Sequence, residues 1–522
     1  MLSLLTACQL ESGKKQVRAK TQTYQAADDF PVFSSGGIDY VGLAGSNNNT
    51  EAFLGIPFAQ PPVGELRWQA PLPWQSDQAT FVAQEFGDAC MQGPHLANWY
   101  QDLISSFGGD PNSFPLAKVS EDCLYLNIWR PATSIEAEEG KTSLPVYVFI
   151  HGGSNKGGWS YEPNYIGEQL AEQGAIVVTI AYRLGVFGFF AHPDLEQANF
   201  ALLDQIAALQ WIQDNIAAVG GDLANVTVAG ESAGANNIAY LMASPLAHGL
   251  FHNVVFESAG WAMSGAMHKV DYESFGRELG ASLFPNAKAD ISALRSVAAE
   301  QLLEASYPVY QQHFYDPVID GYSIKQSVAD SAARGELMKV NMIVGANANE
   351  SLMYLDADET VDSWLAANVS SAQAEKLLAE LDADSPSRQQ LDRLATANGY
   401  VCPSLELASA VVESGGSAWV YYFTRVREGK LAAEMGAYHG AELPYIFDTH
   451  DDWLPTTDQD HRLSSQIMQY WLEFMQQRKP EAQGLPEWPA YLQAGDDVMV
   501  LGDELQVKAH SSRALCAILS QQ

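Results

Sequence analysis

Residues 230–234 read Gly-Glu-Ser-Ala-Gly, a serine with a glycine two positions away on either side. A serine hydroxyl attacks a carbonyl only when a base takes its proton and an acid orients that base. Glycines at this spacing suit a sharp turn that presents Ser232 in a strained conformation, because neither puts a Cβ where strand and helix converge. The base must come from elsewhere. Of the histidines in the last third of the chain, His461 opens one predicted helix and His510 sits within another, while His450 lies in the acidic loop Asp448–Asp452. His439, in Tyr438-His439-Gly440-Ala441-Glu442-Leu443, falls in a loop beyond a predicted strand and is the candidate base. Glu350, in Gly345-Ala346-Asn347-Ala348-Asn349-Glu350-Ser351, stands just past another strand and is the candidate acid. A tetrahedral oxyanion needs backbone N–H donors. His151-Gly152-Gly153-Ser154 supplies close-approach backbone directly after a strand, and Ala233 supplies the N–H that follows the nucleophile.

The elements that would position these groups alternate. Apolar, β-branched runs predict buried strands at Val146–Ile150, Ile176–Ile180, Val226–Ala229, Val254–Phe256, Met342–Val344 and Trp419–Phe423. Helical spacing marks 201–216 and 463–478, and the segment Ala235–Met242 after Ser232 is helix-compatible. The pattern predicts an α/β fold with a mostly parallel central sheet flanked by helices. Residues 265–310 and 355–400 read as helical insertions, and nothing after residue 30 looks like a linker. The serine, acid, histidine order along the chain is that of α/β-hydrolases.

Composition narrows the function classes. The 522 residues carry a formal charge of −35, which disfavours nucleic acid and anionic lipid surfaces as partners. The five cysteines form no Cys-x-x-Cys pair, so no metal or cofactor is expected. Four well-separated cysteines plus Cys8 suit two disulfides in an oxidising compartment. Leu5-Thr6-Ala7-Cys8 resembles a bacterial lipoprotein cleavage box, the tail of a signal whose beginning precedes the stated start. Residues 1–29 are then a signal remnant and polar tether, Cys8 carries lipid, and 30–522 form one catalytic domain. Any membrane association runs through that lipid. The expected location is exported: periplasmic, secreted or lipid-anchored to a bacterial envelope membrane.

Further stretches carry a family resemblance. They are Phe53-Leu54-Gly55-Ile56-Pro57-Phe58-Ala59, Glu121-Asp122-Cys123-Leu124-Tyr125-Leu126-Asn127-Ile128, Tyr182-Arg183-Leu184-Gly185 and the run Asn199–Gly234. With them the chain resembles the type-B carboxylesterase/lipase family, the cholinesterase-like branch of the α/β-hydrolases. That resemblance implies a serine carboxylesterase acting on a small-molecule ester, with Ser232, Glu350 and His439 as triad and Gly153, Ser154 and Ala233 as oxyanion donors. It also implies Cys90–Cys123 and Cys402–Cys516 disulfides, and structural roles for Arg67 with Glu121 and for Asp204. Trp261 aligns with the family's acyl-pocket tryptophan. Phe114 stands where cholinesterases place a choline-stacking tryptophan and offers only a weaker face to a cation. In the oxyanion loop Ser154-Asn155 replaces the family's glycine or alanine followed by an aromatic. The alternatives are a catalytically silent adhesion protein on the same fold, or a lipase or acyltransferase using the same triad.

Overall fold

Alternation along the apolar runs decides the architecture. In the strand Leu144–Ile150, Val146, Val148 and Ile150 point into one hydrophobic core while Tyr147 and Phe149 point into a second. A strand buried on both faces belongs at the centre of a helix-covered sheet. The protein is described from a computed structural model covering residues 30–132, 143–259, 261–311, 313–492 and 496–521. Cys8 and the 1–29 segment lie outside these residues.

The main sheet has eleven strands. In chain order they are β1 (Leu43–Ala44), β2 (Thr50–Pro57), β3 (Tyr125–Pro131), β4 (Leu144–Ile150), β5 (Ile176–Ile180), β6 (Gly221–Glu231), β7 (Asn253–Glu257), β8 (Asn341–Asn347), β9 (Ser417–Phe423), β10 (Asp497–Leu501) and β11 (Gln506–Ala509). Their spatial order is β11-β10-β9-β8-β7-β6-β4-β5-β3-β2-β1. All neighbours from β5 through β10 pair in parallel, and the strands at both ends pair antiparallel. This is the α/β-hydrolase architecture, with a mixed sheet whose centre is parallel.

Helices α1 (His95–Ser106), α2 (Phe200–Val219), α3 (Ala233–Ala243), α4 (Cys402–Glu413), α5 (Asp458–Gln477) and α6 (Arg513–Leu519) surround it. The expected insertions are helical: Lys269–Leu283, Ile291–Arg295 and Ala299–Val309 form the first, and Val361–Asn368, Ser371–Ala379 and Ser387–Thr396 the second. His510 is a correction. It follows β11 instead of lying in a helix, and its Nδ1 accepts from Ser512 N at 3.0 Å, just ahead of α6. The strand was missed because Gln506–Ala509 is exposed along its length and carries no apolar signal.

Buried ion pairs brace the loops that run to the site. Arg67 Nε donates to Glu121 Oε1 at 2.6 Å, and its Nη1 donates to Val297 O at 2.8 Å. Asp204 is fully buried and takes two hydrogen bonds of 2.7 Å from the Arg183 guanidinium. The disulfides pair Cys90 with Cys123 and Cys402 with Cys516. The second joins the first residue of α4 to α6, beside a small cluster of Trp364, Leu377, Leu394 and Leu515.

Cys402–Cys516 spans 114 residues and Cys90–Cys123 only 33, so loop-closure entropy assigns the former the larger effect, with a ceiling of about 5 kcal/mol. Replacing Cys402 and Cys516 together by alanine should lower the denaturant midpoint of unfolding more than replacing Cys90 and Cys123. Equal midpoints for the parent and the Cys402/Cys516 variant would contradict this.

Candidate active site

Strand β6 ends at Glu231 and α3 begins at Ala233, which leaves Ser232 alone at the turn with φ +53° and ψ −123°. A side chain rarely adopts that backbone, and the surroundings hold it there. Ser232 N donates to Glu257 O at 2.8 Å, and Ser232 O accepts from Asn236 N at 2.9 Å. The flanking glycines are required by contact: a Cβ on Gly230 would lie 2.8 Å from Ile150 O, and one on Gly234 would lie 2.6 Å from His151 O. The turn is pressed against the end of β4.

Glu350 follows β8 by three residues and is fully buried. Its Oε1 accepts from Asn347 N and from Ser258 Oγ, both at 2.6 Å. Its Oε2 lies 2.6 Å from His439 Nδ1. A carboxylate accepts, so Nδ1 carries the donated proton and Nε2 is the nitrogen free to act as a base.

That nitrogen faces a second carboxylate. Glu231 Oε1 stands 3.0 Å from His439 Nε2, charge to charge but out of line for a hydrogen bond. Burial disfavours the imidazolium, yet the Glu231 and Glu350 carboxylates outweigh it and hold the His439 pKa at about 9. Burial pushes Glu231 up to about 8 despite the pull of His439. Glu442, three residues after the histidine, is pushed up to about 7 by burial and by Glu350, and its Oε2 accepts from Asn347 Nδ2 at 2.5 Å. Fully buried Glu257, last residue of β7, is also raised far above the carboxylate range by burial and by Glu442 and Glu231. The sequence reading placed Glu350 and His439 but gave no role to these three neighbours. The one available signal was adjacency for two of them, since Glu231 precedes Ser232 and Glu442 sits in the histidine motif, whereas Glu257 ends a separate strand.

The loop expected to carry oxyanion donors leaves β4 and turns at once. Gly153, Ser154 and Asn155 have φ of +92°, +56° and +56°. Among the described residues the N–H groups of Gly153, Ser154 and Ala233 have no backbone acceptor. Tyr354 and Tyr400 flank the imidazole, with ring centroids 5.8 and 5.2 Å from it. Tyr354 also lines a cleft of about 1240 Å³ with Trp99, Met353, Asp102, Arg388 and Asp392.

The other expected residues are placed less directly. Trp261 is half-buried; its Nε1 donates to Asp316 Oδ1 at 3.2 Å, and its ring stacks 6.4 Å from Phe314. Phe114 is buried in an aromatic cluster under α1, stacked 4.2 Å from Tyr100 and tilted against Trp159 at 5.8 Å. Asp448, His450 and His461 bring metal-type donor atoms within 4.8 Å of one another. However, Arg427 donates to His450 Nδ1 at 2.9 Å, which puts the ring proton on Nε2, 2.9 Å from Ser464 Oγ. Neither nitrogen then offers a lone pair to a cation.

Comparison with known proteins gives a consistent picture. Residues 39–519 match the model of the carboxylesterase family. The chain is 32% identical over 486 residues to a para-nitrobenzyl esterase of Bacillus subtilis, covering 89% of this chain and 93% of the relative. It is 31% identical over 487 residues to a fumonisin B1 esterase of Sphingopyxis macrogoltabida, covering 89% and 85%. A solved PNB esterase superposes with a TM-score of 0.79 at 30% identity, covering 94% of this chain and 99% of that one.

The two carboxylates on His439 yield a signed expectation. The free base is the neutral imidazole, so the acid limb of kcat/KM should rise toward pH 9. Glu231→Gln removes the largest charge that raises the histidine, and the limb should move to lower pH by roughly one unit or more. Unchanged pH profiles for parent and variant would refute the assignment of that charge.

Proposed function

The chain belongs to the carboxylesterase family and is a carboxylic ester hydrolase, and we propose that it works through an acyl-enzyme on Ser232 with His439 as general base and Glu350 as orienting acid. The observation that carries this reading is the 2.6 Å contact between His439 Nδ1 and Glu350 Oε2, which leaves Nε2 as the base beside the Glu231–Ser232 step. Ser232 Oγ attacks the ester carbonyl as its proton passes to Nε2. The N–H groups of Gly153, Ser154 and Ala233 receive the developing oxyanion. The imidazolium then gives its proton to the leaving alcohol. Water, deprotonated by the same nitrogen, releases the acid and restores the serine. Glu350 turns and charge-stabilises the ring without itself taking the proton.

The substrate is a small-molecule ester. The open cleft beside Tyr354 supports an ester with one sizeable arm, and its mixed lining supports an arm with polar groups. The overall charge of −35 argues against a polyanionic substrate. Two disulfides support residence in an oxidising compartment, with Cys8 as the lipid attachment point if the chain is anchored.

Ser232→Ala should lower kcat on p-nitrophenyl esters by at least ~10³-fold while circular dichroism stays unchanged. A fluorophosphonate probe should label Ser232 in the parent protein. Near-parent turnover in Ser232→Ala would overturn the triad, and no label on Ser232 would favour the adhesion reading. Glu350→Gln should cost less than His439→Ala, because the acid orients and does not transfer the proton.

A further inference from the structure

The oxyanion loop holds two successive non-glycine residues, Ser154 and Asn155, in the left-handed region. Asparagine tolerates that conformation better than most residues, but tolerance alone does not hold a loop still. The Asn155 side chain is buried, and its amide is used on both sides. Its Oδ1 accepts from Asn237 Nδ2 at 2.9 Å, with Tyr182 Oη 3.3 Å away. Its Nδ2 donates to Tyr315 O at 2.6 Å, and Asn237 Oδ1 is 3.5 Å from the same nitrogen. The Asn155 carbonyl accepts from Gly185 N at 2.7 Å.

Asn237 is just as buried and sits on α3, five residues after the nucleophile. The same helix begins with Ala233, whose N–H is read as the third oxyanion donor. Gly153 and Ser154, read as the other two, directly precede Asn155. The amide pair therefore ties the loop that carries two donors to the helix that carries the third. Three donors act together only if their separation is fixed to a fraction of an ångström, and a flexible loop does not fix it unaided.

We propose that Asn155 and Asn237 are a positioning pair that sets the spacing of the oxyanion hole by hydrogen-bonding the loop Gly152–Asn155 to helix α3. This rests on the reading of Gly153, Ser154 and Ala233 as oxyanion donors. In the resemblance described above this loop position is aromatic. Here an amide replaces the ring, and helix α3 offers the amide that answers it.

The test uses Asn155→Gly, which accepts the +56° backbone without strain, and Asn237→Ala, which keeps the helix. Active sites are counted by fluorophosphonate labelling of Ser232. Each variant should lose roughly tenfold in kcat, short of the 10²–10³ expected for deleting a donor, with KM within about twofold. Affinity for a trifluoromethyl ketone, whose adduct with a serine places an oxyanion in the hole, should fall in the same ratio as kcat/KM. The double variant should be no worse than the worse single one, because the pair acts as a unit. Parent kcat per labelled site, a lower thermal midpoint with normal kcat, ketone affinity that does not follow kcat/KM, or fully additive losses would each overturn the pair. Failure of Ser232 to label in the parent protein would instead overturn the reading of the site, whatever the asparagines do.

Discussion

Four glutamate carboxyls crowd one imidazole in a volume almost closed to water, and the arrangement of the site follows from keeping that cluster electrically tolerable. Glu231, Glu257, Glu350 and Glu442 are all buried, and each lies near His439 or near another member of the group. Four bare charges there would cost several kcal/mol apiece. The structure meets the constraint in two ways. Glu350 is solvated by the protein, with Asn347 N, Ser258 Oγ and His439 Nδ1 all on its oxygens. Glu257 and Glu442 are driven toward their neutral forms by burial and by neighbouring carboxyls, while burial of Glu231 is offset in part by the His439 charge 3.0 Å away.

The same constraint explains why the supporting groups come from so many strands. Ser258 follows β7, Asn347 ends β8, and Glu442 is carried on the loop that presents His439. Parallel strands deliver their C-terminal ends to one edge of the sheet, so residues about ninety apart in sequence meet there without long detours. The turn at Ser232 is pressed onto the end of β4, next to the loop that begins at His151. Ser232 and the loop Gly152–Asn155 are thereby placed by one close approach.

The centre of the sheet could be read from the chain because its strands are buried on both faces and spell continuous apolar runs. The margins could not. Gln506–Ala509 is exposed along its length, and β6 starts five residues before the apolar run at Val226, in the polar segment Gly221-Asp222-Leu223-Ala224-Asn225. Ser232 and Glu350 were legible because each sits just past a strand end within a distinctive local motif; His439 was legible from its motif, although the short helix Lys430–Met435 separates it from β9. The acidic surroundings of His439 were not, since they depend on which distant side chains fold onto one point. Asn155 was visible as a departure from the family pattern. Its partner Asn237 was not, because 82 residues separate them and nothing local links the two.

The C-terminal segment has a consequence for how this chain is made. Strands β10 and β11 and the Cys516 half of a disulfide all lie within the last thirty residues. The other half, Cys402, opens α4 two residues after Tyr400, whose ring packs 5.2 Å from the His439 imidazole. During synthesis Ser232, Glu350 and His439 all emerge before β9 acquires β10, the neighbour that covers its open edge. The segment that flanks His439 gains its covalent tie only once Cys516 has been made and oxidised. Folding order therefore couples the seating of Tyr400 against His439 to a cysteine made 114 residues after its partner.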